Sequence, residues 1–82
     1  MIEQKIEETL EDIRKLLICK NREYGNAYDN ASIFTDIDTK TRLVLRIEEK
    51  LSRWNTQLNN ESDDTDTITD LIGLFVHILI RQ

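Results

Sequence analysis

The segment from Ile68 to Ile80 constrains the fold most. Nine of its thirteen residues are apolar (Ile68, Leu71, Ile72, Leu74, Phe75, Val76, Ile78, Leu79 and Ile80). At about 100° per residue they cover most of a helical circumference. A helix apolar on nearly every side is buried on nearly every side. The segment is too short to cross a bilayer and carries Asp70 and His77, which excludes a transmembrane role, and no membrane partner is expected. In a chain of 82 residues, two partner helices of ordinary length cannot surround it. A monomer of this size buries only roughly 60–65% of its unfolded surface. The expectation is a three-helix unit whose third helix is buried at a homo-oligomer interface. The alternative is a loosely packed monomeric three-helix bundle.

The remaining sequence supplies two more helices. Proline is absent and glycine occurs only at Gly25 and Gly73, within strong 3.6-residue periodicity, which predicts an all-α protein. The first helix spans about 2–24. Its residues Ile2, Ile6, Ile13 and Leu17 fall within about 60° of arc, with Leu10 and Leu16 on the flanks. Gly25 suits the left-handed residue that ends a helix. An Asn- and Asp-rich loop, 26–36, follows, with Tyr28, Ile33 and Phe34 as apolar plugs and no strand. The second helix spans about 38–58, capped by Asp36 or Asp38. Asn59 and Asn60 break it, and the third spans about 63–81. Asp63, Asp64 and Asp66 complement the positive end of its dipole. With no repeat or linker, residues 1–82 read as one all-helical domain.

Charge narrows the functions. Sixteen acids against eleven bases give a net charge of −5, which argues against duplex nucleic acid, whose phosphates need a basic face. A local basic pocket for a small anion stays compatible with it. Cys19 is the single cysteine, so there is neither a disulfide framework nor a four-ligand zinc site. With no signal-peptide pattern either, a cytoplasmic location is expected.

Three polar features interrupt the amphipathic pattern. Arg42, Arg46, Lys50 and Arg53 lie within about 80° on the second helix. They border the apolar face formed by Leu43, Val44, Ile47, Leu51, Trp54 and Leu58. Four like charges on one face repel unless an anion or carboxylates answer them. They form either a solvated face partnered by Glu48 and Glu49, or a clamp for phosphate or carboxylate, which arginine forks suit. The third helix carries an acidic stripe of Asp63, Asp66 and Asp70, continued by His77 and Arg81, with Gly73 inside it. Asp66 and Asp70 either pair with Arg46, Lys50 or Arg53 across the helix interface, or share one Mg²⁺ at i,i+4 spacing. His77 stands about 10 Å along the axis from Asp70, too far to complete the same ligand shell. It reads as an interface histidine. On the first helix, Lys20 and Tyr24 continue the apolar line toward its end, as snorkelling filler or as a charge and a stacking surface at the mouth of a cleft.

Three segments in order, Lys20-Asn21-Arg22-Glu23-Tyr24-Gly25-Asn26, then Arg46-Ile47-Glu48-Glu49-Lys50-Leu51-Ser52-Arg53, then Asp66-Thr67-Ile68-Thr69-Asp70-Leu71, resemble the bacteriophage family called nucleotide modification associated domain 1. The resemblance covers about residues 16–80. It implies signature positions at Lys20, Tyr24, Gly25, Arg46, Lys50, Arg53, Asp66 and Asp70, and a link to nucleotides. The chain departs from the family pattern in two places. Ser62 stands where an acidic residue is usual, with Glu61 displaced by one, and Leu74 stands where an aromatic is common.

Three function classes follow. The first is a small non-catalytic phage protein that binds a nucleotide and sequesters a nucleotide or cyclic-nucleotide signal of host defence, acting in the host cytoplasm as a homo-oligomer. Its ligand site would draw on Lys20, Tyr24, Arg42, Arg46, Lys50, Arg53 and Trp54, with Tyr28 as a further stacking candidate. It needs no cofactor. The second is a Mg²⁺-dependent nucleotide pyrophosphohydrolase, or an accessory to nucleotide modification, resembling the all-helical MazG group. Asp66 and Asp70 would then hold metal, while Glu8 and Glu11, and Asp63 and Asp66, have carboxylate-pair spacing. The third is a structural, partner-binding bundle in which each polar stripe is an ion-pair network. The first is the favoured expectation.

Overall fold

A computed structural model describes residues 1–24 and 37–82, Tyr24 by its backbone. The described residues form three helices and no strand: α1 (Ile2–Tyr24), α2 (Thr39–Asn59) and α3 (Thr65–Ile80). The all-helical reading therefore holds. No helix among them is long and apolar enough to cross a membrane. Gly25, the loop 26–36 with Tyr28, Ile33 and Phe34, and the candidate cap Asp36 lie outside the described residues.

The chain divides into two units, Met1–Asn30 with α1 and Ala31–Gln82 with α2 and α3. In the first unit, α1 is laced by contacts between neighbouring turns. Arg14 donates twice to Glu11, from Nε to Oε2 at 2.9 Å and from Nη2 to Oε1 at 2.6 Å, and Gln4 donates to Glu8 at 3.2 Å. The Arg14 hydrogen bond holds the Glu11 carboxyl below the usual carboxylate range, and Glu11 raises Arg14 in turn. Ile2, Ile6 and Leu10 are exposed, while Ile13 and Leu17 are half-buried.

The second unit is a helical hairpin. Asp38 caps α2: its backbone is extended at φ −68° and ψ 163°, and its Oδ1 accepts from the Thr41 amide at 2.7 Å. That bond satisfies one of the amides a helix start leaves unpaired. It also lowers the Asp38 pKa. The far end of α2 closes with two nested backbone bonds, Glu61 N to Leu58 O at 3.3 Å and Ser62 N to Gln57 O at 2.9 Å. This Schellman arrangement needs a left-handed residue between them, and Glu61 provides it at φ 53°.

α3 begins at Thr65, two residues after the expected position 63. Asp63 Oδ1 accepts from both the amide (3.0 Å) and the hydroxyl (2.8 Å) of Thr65, making a side-chain turn ahead of the helix. Asp64 occupies the capping position but makes no side-chain cap bond. Its Oδ2 instead accepts from Trp54 Nε1 at 2.8 Å, tying the start of α3 to the last turns of α2.

Leu43 (0% exposed), Ile47, Leu71 and Leu74 form the buried apolar core, joined by Thr67. Full burial of such an aliphatic side chain is worth about 1.5–3 kcal/mol. α3 is not covered all round within the chain, because Ile68, Phe75, Leu79 and Ile80 are exposed.

Candidate functional site

The hairpin has two unlike sides, and helical geometry assigns residues to them. Leu43 and Ile47 face α3, and Leu71 and Leu74 face α2. Turning about 40–120° from those contacts in one sense reaches Arg42, Arg46, Lys50 and Arg53 on α2, and Asp66, Asp70 and His77 on α3. Because the helices are antiparallel, the same sense of rotation on each leads to the same side. A bond within this set fits the assignment: Lys50 Nζ donates to Asp70 Oδ2 at 2.9 Å. Their side chains are 15% and 31% exposed. Of the cross-helix pairs weighed from sequence, this one forms.

The other charged residues divide by exposure. Arg42 is half-buried, and its Nη2 donates to the Thr39 hydroxyl at 3.3 Å, which folds it back along its own helix. Arg46 and Arg53 are exposed, and neither has a hydrogen-bond or ion-pair partner among the described residues. They stand two turns apart, roughly 10 Å, with Lys50 between them. With Lys50 opposite Asp70, Arg46 is level with Gly73 and Leu74, and Arg53 with Asp66 and Thr67. Arg81 Nη1 donates to the His77 carbonyl at 2.8 Å and lies 3.1 Å from His77 Nδ1, closing the C-terminal end of α3.

Trp54, read from sequence as a stacking candidate, is half-buried with its indole nitrogen bonded to Asp64. Lys20 and Tyr24 belong to the first unit, where Lys20 is exposed on α1. The Tyr24 side chain lies outside the described residues. Asp66 is exposed, and Asp70 already holds the Lys50 ammonium. A Mg²⁺ bridging Asp66 and Asp70 would share Asp70 with that ammonium, and no group of three His, Cys, Asp or Glu side chains among the described residues is placed to hold a metal.

An open cleft of about 520 Å³ lies where α2 begins and α3 ends, lined by Asp38, Thr39, Lys40, Thr41, Val44 and Arg81. At that helix start the Thr41 amide is taken by Asp38. The Trp54–Asp64 tether is the contact that sequence reasoning missed. Its only advance signal was an indole on the core face of α2 with a carboxylate ten residues on, across a turn. No protein-family model, curated protein or solved structure matches the chain.

Proposed function

We propose that this chain is a small non-catalytic nucleotide-binding protein of phage type, which sequesters a nucleotide or cyclic-nucleotide signal of host defence. In this reading it acts in the host cytoplasm as a homo-oligomer with α3 near the centre. One observation carries the reading. Arg46 and Arg53 project from one face of α2, exposed and without an acidic partner among the described residues, while Lys50 between them is matched by Asp70. A purely structural ion-pair network would match these arginines too. Two guanidinium forks two turns apart, with an ammonium between, make a cationic surface of the right chemistry for phosphate oxygens. The resemblance of the three sequence segments supplies the nucleotide. The oligomer draws support from the apolar side chains α3 leaves exposed.

The test is a titration calorimetry panel of mononucleotides and cyclic dinucleotides in excess EDTA, with each ligand recovered after denaturing the protein. The expected result is saturable binding without added metal and recovery of intact ligand. Recovery of a cleaved ligand in Mg²⁺ would replace this reading with the pyrophosphohydrolase one. Charge-assisted bonds to phosphate are worth about 1.5–3 kcal/mol each, so Arg46→Ala should weaken affinity roughly tenfold to a hundredfold without lowering the melting temperature. Unchanged affinity in that variant removes the clamp.

A further inference from the structure

The charged side of the hairpin has a counterpart. Turning in the opposite sense from the core contacts, by about 40–110°, reaches Val44, Leu51 and Leu58 on α2, and Ile68, Phe75 and Leu79 on α3. These six are from 36% to 71% exposed. On α2 they repeat at about two-turn intervals, and on α3 at two turns and then one, so each helix shows an apolar strip, and the two strips lie on one side. We infer that this side is the face through which two copies of the chain join, with α2 over α2 and α3 over α3, each pair antiparallel. The inference specifies the self-association proposed above and takes nothing from the nucleotide reading.

Two arguments select a second copy as occupant. The first is area. At roughly 200 Å² per large side chain, the six leave on the order of 500–600 Å² of apolar surface in one strip pair, the upper end of the largest patch a monomer ordinarily exposes and of the size that often serves binding. With the polar flanks this approaches the roughly 800 Å² per partner of a stable interface. The second is charge, which also fixes the direction. Lys40 and Arg81, against one carboxylate at Asp38, sit at the end where α2 starts and α3 finishes, whereas Glu61, Asp63 and Asp64 sit at the turn. Parallel pairing would stack acid on acid and base on base. Pairing by a two-fold axis across the helices sets each basic end on the partner's acidic end. It also opposes the helix dipoles, and a two-fold contact uses the same patch on both copies. The charged sides, with Arg46 and Arg53, then face outward in opposite directions.

Sedimentation of the full chain tests the face, and cross-linking tests the direction. The unsubstituted protein should sediment at twice its 9.7 kDa mass. Phe75→Glu and, separately, Leu51→Glu should each raise the dimer dissociation constant roughly thirtyfold or more while keeping helical circular dichroism. Leu45→Glu, an exposed apolar position on the back of α2, should leave it unchanged. In a Cys19→Ser background, a mixture of Lys40→Cys and Glu61→Cys chains should form a disulfide-linked dimer under mild oxidation. Lys40→Cys alone should not, since those positions would be about 30 Å apart on the paired α2 helices. A monomer at micromolar concentration overturns both the oligomer and this face. A dimer that survives both Phe75→Glu and Leu51→Glu but dissociates with Leu10→Glu overturns the face and leaves self-association standing. Cross-linking of Lys40→Cys with itself overturns the antiparallel arrangement.

Discussion

α1 and the α2–α3 hairpin are built on different scales of interaction. α1 is stitched by bonds three and four residues apart, Glu11 to Arg14 and Gln4 to Glu8, all at exposed positions. The hairpin is held by contacts ten and twenty residues apart, Trp54 to Asp64 and Lys50 to Asp70, around a small apolar core. Local exposed pairs contribute little and fail independently. Long-range contacts enclosing a core cost loop closure and then act together. Damage to the hairpin should therefore be felt cooperatively, and damage to α1 pairs should stay local.

The largest effect that checks this is Leu43→Ala. Its side chain is fully buried, so truncation should destabilise the hairpin by about 2–5 kcal/mol, read as a drop in denaturation midpoint with an unchanged slope. Next is Lys50→Ala, which leaves the partly buried Asp70 carboxylate without its ammonium and should cost about 1–2 kcal/mol. Lys50→Ala that melts like the unsubstituted protein would show that the hairpin does not depend on its cross-helix pair. Trp54→Phe keeps most of the ring and loses the bond to Asp64, for about 0.5–1.5 kcal/mol. Glu61→Gly should act in the other direction, stabilising by roughly 1 kcal/mol, because a side chain at a left-handed position is strained where glycine is not.

Acid should give a smaller, graded response. The Thr41 amide bond to Asp38 and the Thr65 amide bond to Asp63 depress both pKa values. A depressed carboxylate contributes stability that is present above its unfolded value, near 3.9, and lost as pH falls through its folded value. The melting temperature should hold from neutral pH to about pH 5 and then fall. Asp38→Asn, which keeps an accepting oxygen, should flatten part of that fall. The least effect is expected from Arg14→Gln, which should leave the hairpin's melting midpoint in place and reduce only α1 helicity.

Much of this was legible in the sequence, for identifiable reasons. The three helices follow from periodicity uninterrupted by proline, and Asp38 was one of two candidate caps. The Lys50–Asp70 pair was among the pairings open to Asp66 and Asp70 with Arg46, Lys50 or Arg53, because both residues stand at the edge of an apolar face. The start of α3 was less legible. A string of acids at 61, 63, 64 and 66 offers several equivalent caps, and the choice is made by the turn. Glu61 takes a conformation that its side chain does not advertise, which brings Asp64 to Trp54 and leaves Asp63 to meet Thr65. The folding-back of Arg42 onto Thr39 was equally hidden, because a stripe drawn on a helical wheel treats four cations alike. The division of that stripe into a matched lysine and two exposed arginines required the partner helix.

The bond from Trp54 to Asp64 has an optical consequence. Trp54 is the single tryptophan of the chain, so all indole emission comes from one place, the seam between the end of α2 and the beginning of α3. A carboxylate at 2.8 Å from the indole nitrogen sets the polarity that the excited ring sees. Opening the hairpin exchanges that fixed neighbour for mobile water. The wavelength of emission therefore reports hairpin closure directly, and in stopped-flow mixing it would time the zipping of these two helices without any added label.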